Sequence, residues 1–306
     1  MRSFVLAALA AMALSGCGGS HPAAGNDAEQ SFWTAFHAQD FGITGAVAQQ
    51  LKAAHDANPK AVETERLLGL VHLWRAAEAD RDPPSATETR LDSGMIAVPY
   101  LNEVHAADPG DALTSAFLAL DAYEFGVITN EPTKIAEGKA MMDAAFAQDP
   151  ITVAFGEMFI TAQLPPADPD VAKGVDVMVH AIELCTNATI DRDHPDLSGL
   201  KDAIAAARGK RFCWNSPVAP HTLEGVFFFI GDNYLKMNRV DVAKTWYENA
   251  QSSESYSTWP HKPVVESRLA SDLGARAAAY QGDATKWPAI GDPPYLCGVC
   301  HGTSGD

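Results

Sequence analysis

The stretch Val47-Ala48-Gln49-Gln50-Leu51-Lys52-Ala53-Ala54-His55-Asp56-Ala57-Asn58-Pro59 decides the fold, because its pattern returns twice. Val47, Leu51, Ala54 and Pro59 are matched in spacing by Ala97, Leu101, Val104 and Pro109, and again by Gly138, Met142, Ala145 and Pro150. Steps of four and three residues put the first three positions of each set on one helix face. A small residue lets a neighbouring helix approach, and a larger one a turn later fills the groove. The Asn-Pro or Asp-Pro pair then stops the helix, since the residue before proline is driven out of the helical region.

The same periodicity runs from about residue 31 to 282, with abundant alanine and weak strand signals. The run Val226-Phe227-Phe228-Phe229-Ile230 leads into a helical pattern and reads as a buried helix face. The recurring submotif resembles the second helix of a tetratricopeptide repeat, whose period is about 34 residues. The closest whole match is Phe227, Ile230, Gly231 and Tyr234 for a first helix, with Ala243, Tyr247 and Ala250 for a second. Ser255 stands where that family has a proline. Leu68, Gly69 and His72 suggest an earlier first helix, its partner delayed by the polar stretch 80–89. Residues 153–162 and Gly174, Met178 and Ala181 suggest another pair. The resemblance implies an all-α chain, a TPR-like α-solenoid of four to five helix pairs, and the Pro/Gly-rich residues after it read as an extended C-terminal tail. A last helix is expected over 264–280. The domain division is 1–16 leader, 17–29 flexible tether, 30–282 repeat domain and 283–306 tail.

At the N-terminus, Arg2 precedes an apolar run over 4–14 and then small residues. This is a secretory leader, too short to span a bilayer. It ends Leu14-Ser15-Gly16-Cys17, which resembles the lipobox of bacterial lipoproteins. That resemblance implies cleavage before Cys17 and acylation of its thiol and amine. The chain is then extracytoplasmic and lipid-anchored to a bacterial membrane, with the small polar residues 18–29 as tether.

At the other end stands Cys297-Gly298-Val299-Cys300-His301, a CxxCH string. It is the attachment signature of a c-type haem: each thiol adds to a vinyl group and His301 ligates the iron. Zinc would want a second pair of ligands, and none is spelled out nearby. A thioredoxin-like site would sit in a βαβ pattern, whereas this one follows a Pro/Gly-rich stretch. Only five residues follow His301, too few to wrap a porphyrin. The sixth iron ligand must come from elsewhere. His261 is the first candidate, from its loop position and the reach of the tail, and His221 is the alternative. His194 and Met237 complete the set. Of the five cysteines, Cys17, Cys297 and Cys300 are then assigned. Cys185 and Cys213 remain, and an oxidising compartment favours their disulfide.

The chain has 306 residues, 47% of them hydrophobic, and a formal charge of −17. That acidity opposes binding to nucleic acid or to anionic membrane surfaces and suits a basic redox partner. The sequence shows no Ser-His-Asp pattern, phosphate loop or HExxH. The expected function is a lipid-anchored monohaem c-type cytochrome passing electrons to a docked redox protein, a carrier rather than a catalyst. The alternative is a TPR-like scaffold or assembly lipoprotein that binds protein partners, the haem secondary or absent. A peroxidase-like enzyme is the third possibility, and homo-oligomers are compatible with all three.

Overall fold

The computed structural model describes residues 27–81, 86–208, 213–214, 222–291 and 298–302. Among these the regular elements are all helices, joined by turns and loops, apart from one isolated bridge between Arg208 and Trp214. In chain order the helices are α1 (Asp27–His37), α2 (Thr44–Ala57), α3 (Val62–Ala77), α4 (Ala86–Ala107), α5 (Ala112–Thr129), α6 (Pro132–Gln148) and α7 (Pro150–Thr161). There follow α8 (Pro169–Thr186), α9 (Lys201–Ala207), α10 (Leu223–Lys236), α11 (Val240–Gln251), α12 (Lys262–Ala270), α13 (Leu273–Tyr280) and α14 (Gly298–His301).

The helices pack in pairs: α1 with α2, α3 with α4, α5 with α6, α7 with α8 and α10 with α11. Each recurring Asn/Asp-Pro pair lies just beyond a helix end, at Ala57, Ala107 and Gln148. The periodic positions Val47, Leu51, Ala97, Leu101, Val104, Met142 and Ala145 are all buried. Gly138 shows why a small residue heads one set: a Cβ there would lie 2.5 Å from the Tyr123 backbone nitrogen on α5. Asp111, Asp149 and Asp168 cap α5, α7 and α8 through side-chain bonds to the first backbone N–H groups. Asn130, Asn187 and Asn238 close α5, α8 and α10 in the left-handed conformation. The first helices also meet one another, α1 with α3 and α5 with α7, and Phe159 of α7 stacks on Phe229 of α10 at 6.1 Å. They therefore form one layer and the second helices another.

Two expectations need correction. The helix expected over 264–280 is broken in two, because Ser271 is extended and Asp272 starts α13 by accepting from Ala275 N–H. The tether expected to reach residue 29 is already helical from Asp27, where the acidic first turn suits a helix N-terminus.

Candidate functional site

Two described pieces of the C-terminal segment, 284–291 and 298–302, meet α10 in antiparallel order, the first near its C-terminal end and the second near its N-terminal end. At the C-terminal end of α10, Trp287 lies over the Lys236 ammonium, 5.1 Å from ring centroid to nitrogen. One turn earlier, Asp232 Oδ2 accepts from Gly291 N–H at 2.9 Å. Gly291 has φ 82°, a turn open to glycine at little cost. At the N-terminal end, Thr222 donates its N–H to Cys300 O at 2.6 Å and its hydroxyl to Val299 O at 3.0 Å. Trp259 Nε1–H donates to the same Val299 carbonyl at 3.1 Å. A Cβ on Gly225 would run into Val299 O, so glycine there lets α14 sit directly on α10.

Asp232 is the anchor of this arrangement. It is fully buried and accepts from Tyr247 OH at 2.6 Å and from the Arg268 guanidinium at 3.0 and 3.2 Å, with Arg276 4.0 Å away. One carboxylate thereby joins α10, α11, α12, α13 and the C-terminal segment. Arg268 also donates to Gly291 O and Arg276 to Ala289 O.

Within the motif, Cys300 is 1% exposed and His301 is fully enclosed. The His301 ring packs on Phe36 of α1, 5.0 Å between centroids, and Phe36 stands edge-on to Trp74 of α3. Cys300 is a free thiol, and burial pushes its pKa up to about 12. His261 is 9% exposed and shares a hydrogen bond with Gln39, just past α1; Gln39 adopts a left-handed φ of 55°. The structure thus gathers Cys300, His301, Trp259 and His261 between the C-terminal end of α1 and the start of α10.

Other candidates lie elsewhere. Met237 caps the far end of α10, about 20 Å along the helix from Thr222. His194 is 86% exposed beside Asp191. Its neighbour Asp193 pairs with Arg239, just past that same far end. The helix length therefore removes both from the motif. Cys17, His221 and Cys297 lie outside the described residues. Cys185 and Cys213 form a disulfide with Cα atoms 5.7 Å apart.

Thiols and an imidazole in CxxCH spacing suit covalent haem by residue type. The packing does not: a porphyrin on Cys300 and His301 would occupy space now filled by protein groups, Phe36 among them. Among the described residues, no cluster of three or more His, Cys, Asp or Glu side chains could hold a metal ion.

The pattern had not pointed to Phe36, Gln39 or Lys236. Lys236 did carry a signal, since it lies seven residues after Phe229 and so on the same buried face of α10. No protein-family model matches the chain, and neither a curated protein nor a solved structure shows significant similarity to it.

Proposed function

We propose that this chain is a helical-repeat scaffold, similar in build to tetratricopeptide proteins, whose first-helix layer takes an extended peptide segment. The observation that carries this reading is the seating of 287–291 and of 298–302 on α10, held by Lys236, Asp232, Thr222 and Trp259. Stacked helix pairs bury a continuous core and leave one layer to receive a partner; here the occupant is the protein's own C-terminal segment. The lipobox resemblance at Cys17 would hold the module on the extracytoplasmic side of a bacterial membrane, and the charge of −17 favours a basic partner. The test is a chain ended at Gly291, checked for retained helicity by circular dichroism and titrated with a labelled peptide of residues 292–306. Saturable binding, competed by unlabelled peptide, is expected. A folded truncated chain that ignores the peptide would sink the reading.

A second reading is a monohaem c-type cytochrome serving a redox partner. One observation favours it: the CxxCH segment lies beside Trp259, two residues from His261. With Cys300 and His301 enclosed as they are, haem attachment would go with a movement of α14 away from Phe36. A pyridine haemochrome spectrum of protein made with haem-ligation machinery separates the two readings. A c-type α-band lost in Cys297→Ala/Cys300→Ala would establish the cytochrome, and its absence would remove it.

A further inference from the structure

A cavity of about 250 Å³ lies between the first-helix layer and the C-terminal segment, apart from the CxxCH motif. Its walls include Tyr123 of α5, Phe159 of α7, Phe229 of α10, Tyr280 of α13 and Trp287. Into this aromatic lining projects Lys236, 1% exposed. An ammonium carries three N–H donors. One goes to Ala162 O at the C-terminus of α7, where the helix dipole gives it some support. The Trp287 ring faces the nitrogen at 5.1 Å. Among the described residues no carboxylate comes within ion-pair distance of it; Asp168, farther off, is the one carboxylate whose charge supports it. A buried charge is ordinarily paired, because leaving water without a counter-charge is costly. Burial lowers the Lys236 pKa to about 8, so the amine still carries its charge at neutral pH.

We propose that this cavity is a binding site for a small organic carboxylate with a flat apolar body, its carboxylate on the Lys236 ammonium and its body among the aromatic walls. The shape and chemistry agree: apolar walls with one placed polar group are the usual make-up of a small-molecule site. The volume, below that of a drug-sized pocket, limits the ligand to about one ring. Aromatic side chains make up much of the lining, which favours a planar ligand over a branched one. The site does not depend on the scaffold reading or on haem, since every named wall residue lies outside the motif.

The test is calorimetric titration of the full-length protein with 3-phenylpropionate and, separately, with its uncharged isostere 3-phenylpropanamide. The acid is expected to bind the wild type at least tenfold more tightly than the amide. Lys236→Met should abolish that preference. Val127→Phe, which fills the cavity from α5 without touching the amine, should weaken the acid at least tenfold. Equal binding of acid and amide to the wild type, unchanged acid binding in Lys236→Met, or no binding of the acid up to its solubility limit would each overturn the proposal. Should Lys236→Met fail to fold, the acid-to-amide ratio on the wild type and the Val127→Phe result decide it.

Discussion

Replacing Lys236 by methionine should stabilise the protein at neutral pH and much less at alkaline pH. The side chain is 1% exposed, and its pKa falls from 10.5 to about 8 through burial. That displacement corresponds to about 3 kcal/mol against the charged form in the folded state. The sign follows from proton counting. Between pH 8 and 10.5 the unfolded chain holds the proton and the folded chain does not, so wild-type stability rises with pH across this window. At pH 7 most of the penalty is present; by pH 9.5 about 2 kcal/mol of it has gone. Methionine keeps the apolar stem but forfeits the bond to Ala162 O, which costs about 1–2 kcal/mol. The variant should therefore be about 1–2 kcal/mol more stable than wild type at pH 7, and level with it or slightly less stable at pH 9.5. The other titratable groups around the amine are Tyr123, Tyr280 and Asp168. Both tyrosines are held above their ordinary value by burial and stay neutral through this range. Urea unfolding of both proteins at the two pH values measures the difference directly. A difference that does not change with pH, or that grows as pH rises, would refute the description of Lys236 as a buried ammonium short of counter-charge.

Three further outcomes follow from the packing. Asp232→Ala leaves Arg268 buried beside a lost partner and should cost about 3–5 kcal/mol in urea unfolding, with protease sensitivity appearing first in the C-terminal segment it anchors. Cys185→Ser/Cys213→Ser frees a crosslink spanning 28 positions, and chain entropy puts the loss at about 3–4 kcal/mol, read as a lower urea midpoint. Gly225→Ala places a methyl group against Val299 O and should raise the alkylation rate of Cys300 at least tenfold while far-UV dichroism stays unchanged.

Much of the fold was legible in the chain. The three matched sets at Val47, Ala97 and Gly138 named α2, α4 and α6, and their Asn/Asp-Pro endings fall where those helices stop. Local signals sufficed because periodicity and chain stops act within a few turns. The break at Ser271 was missed, although Asp272 followed by a helical run is a cap signal. The site was harder to read. The sequence gathered Cys300, His301 and His261 by loop position and reach. It could not show that Phe36 of α1 closes over His301, a contact between residues 265 positions apart. Loop position and reach already put His261 ahead of Met237 and His194, but which end of α10 the segment meets, and so the distance that separates those two from the motif, is set only by the tertiary packing. Asp232 reads as an ordinary polar residue within an apolar run; only the convergence of four later elements makes it an anchor.

The C-terminal helix α14 sits on α10 and α1, with Cys300 enclosed as a free thiol. Intact-mass spectrometry of the mature protein, before and after alkylation under native and urea-unfolded conditions, tests it most directly. The predicted result is a chain without covalent haem in which peptide mapping finds Cys300 unmodified in the native state and fully alkylated once unfolded. A mass raised by one haem, or a native Cys300 that reacts as fast as in the unfolded chain, would mean that α14 does not hold this seat on α10 and α1.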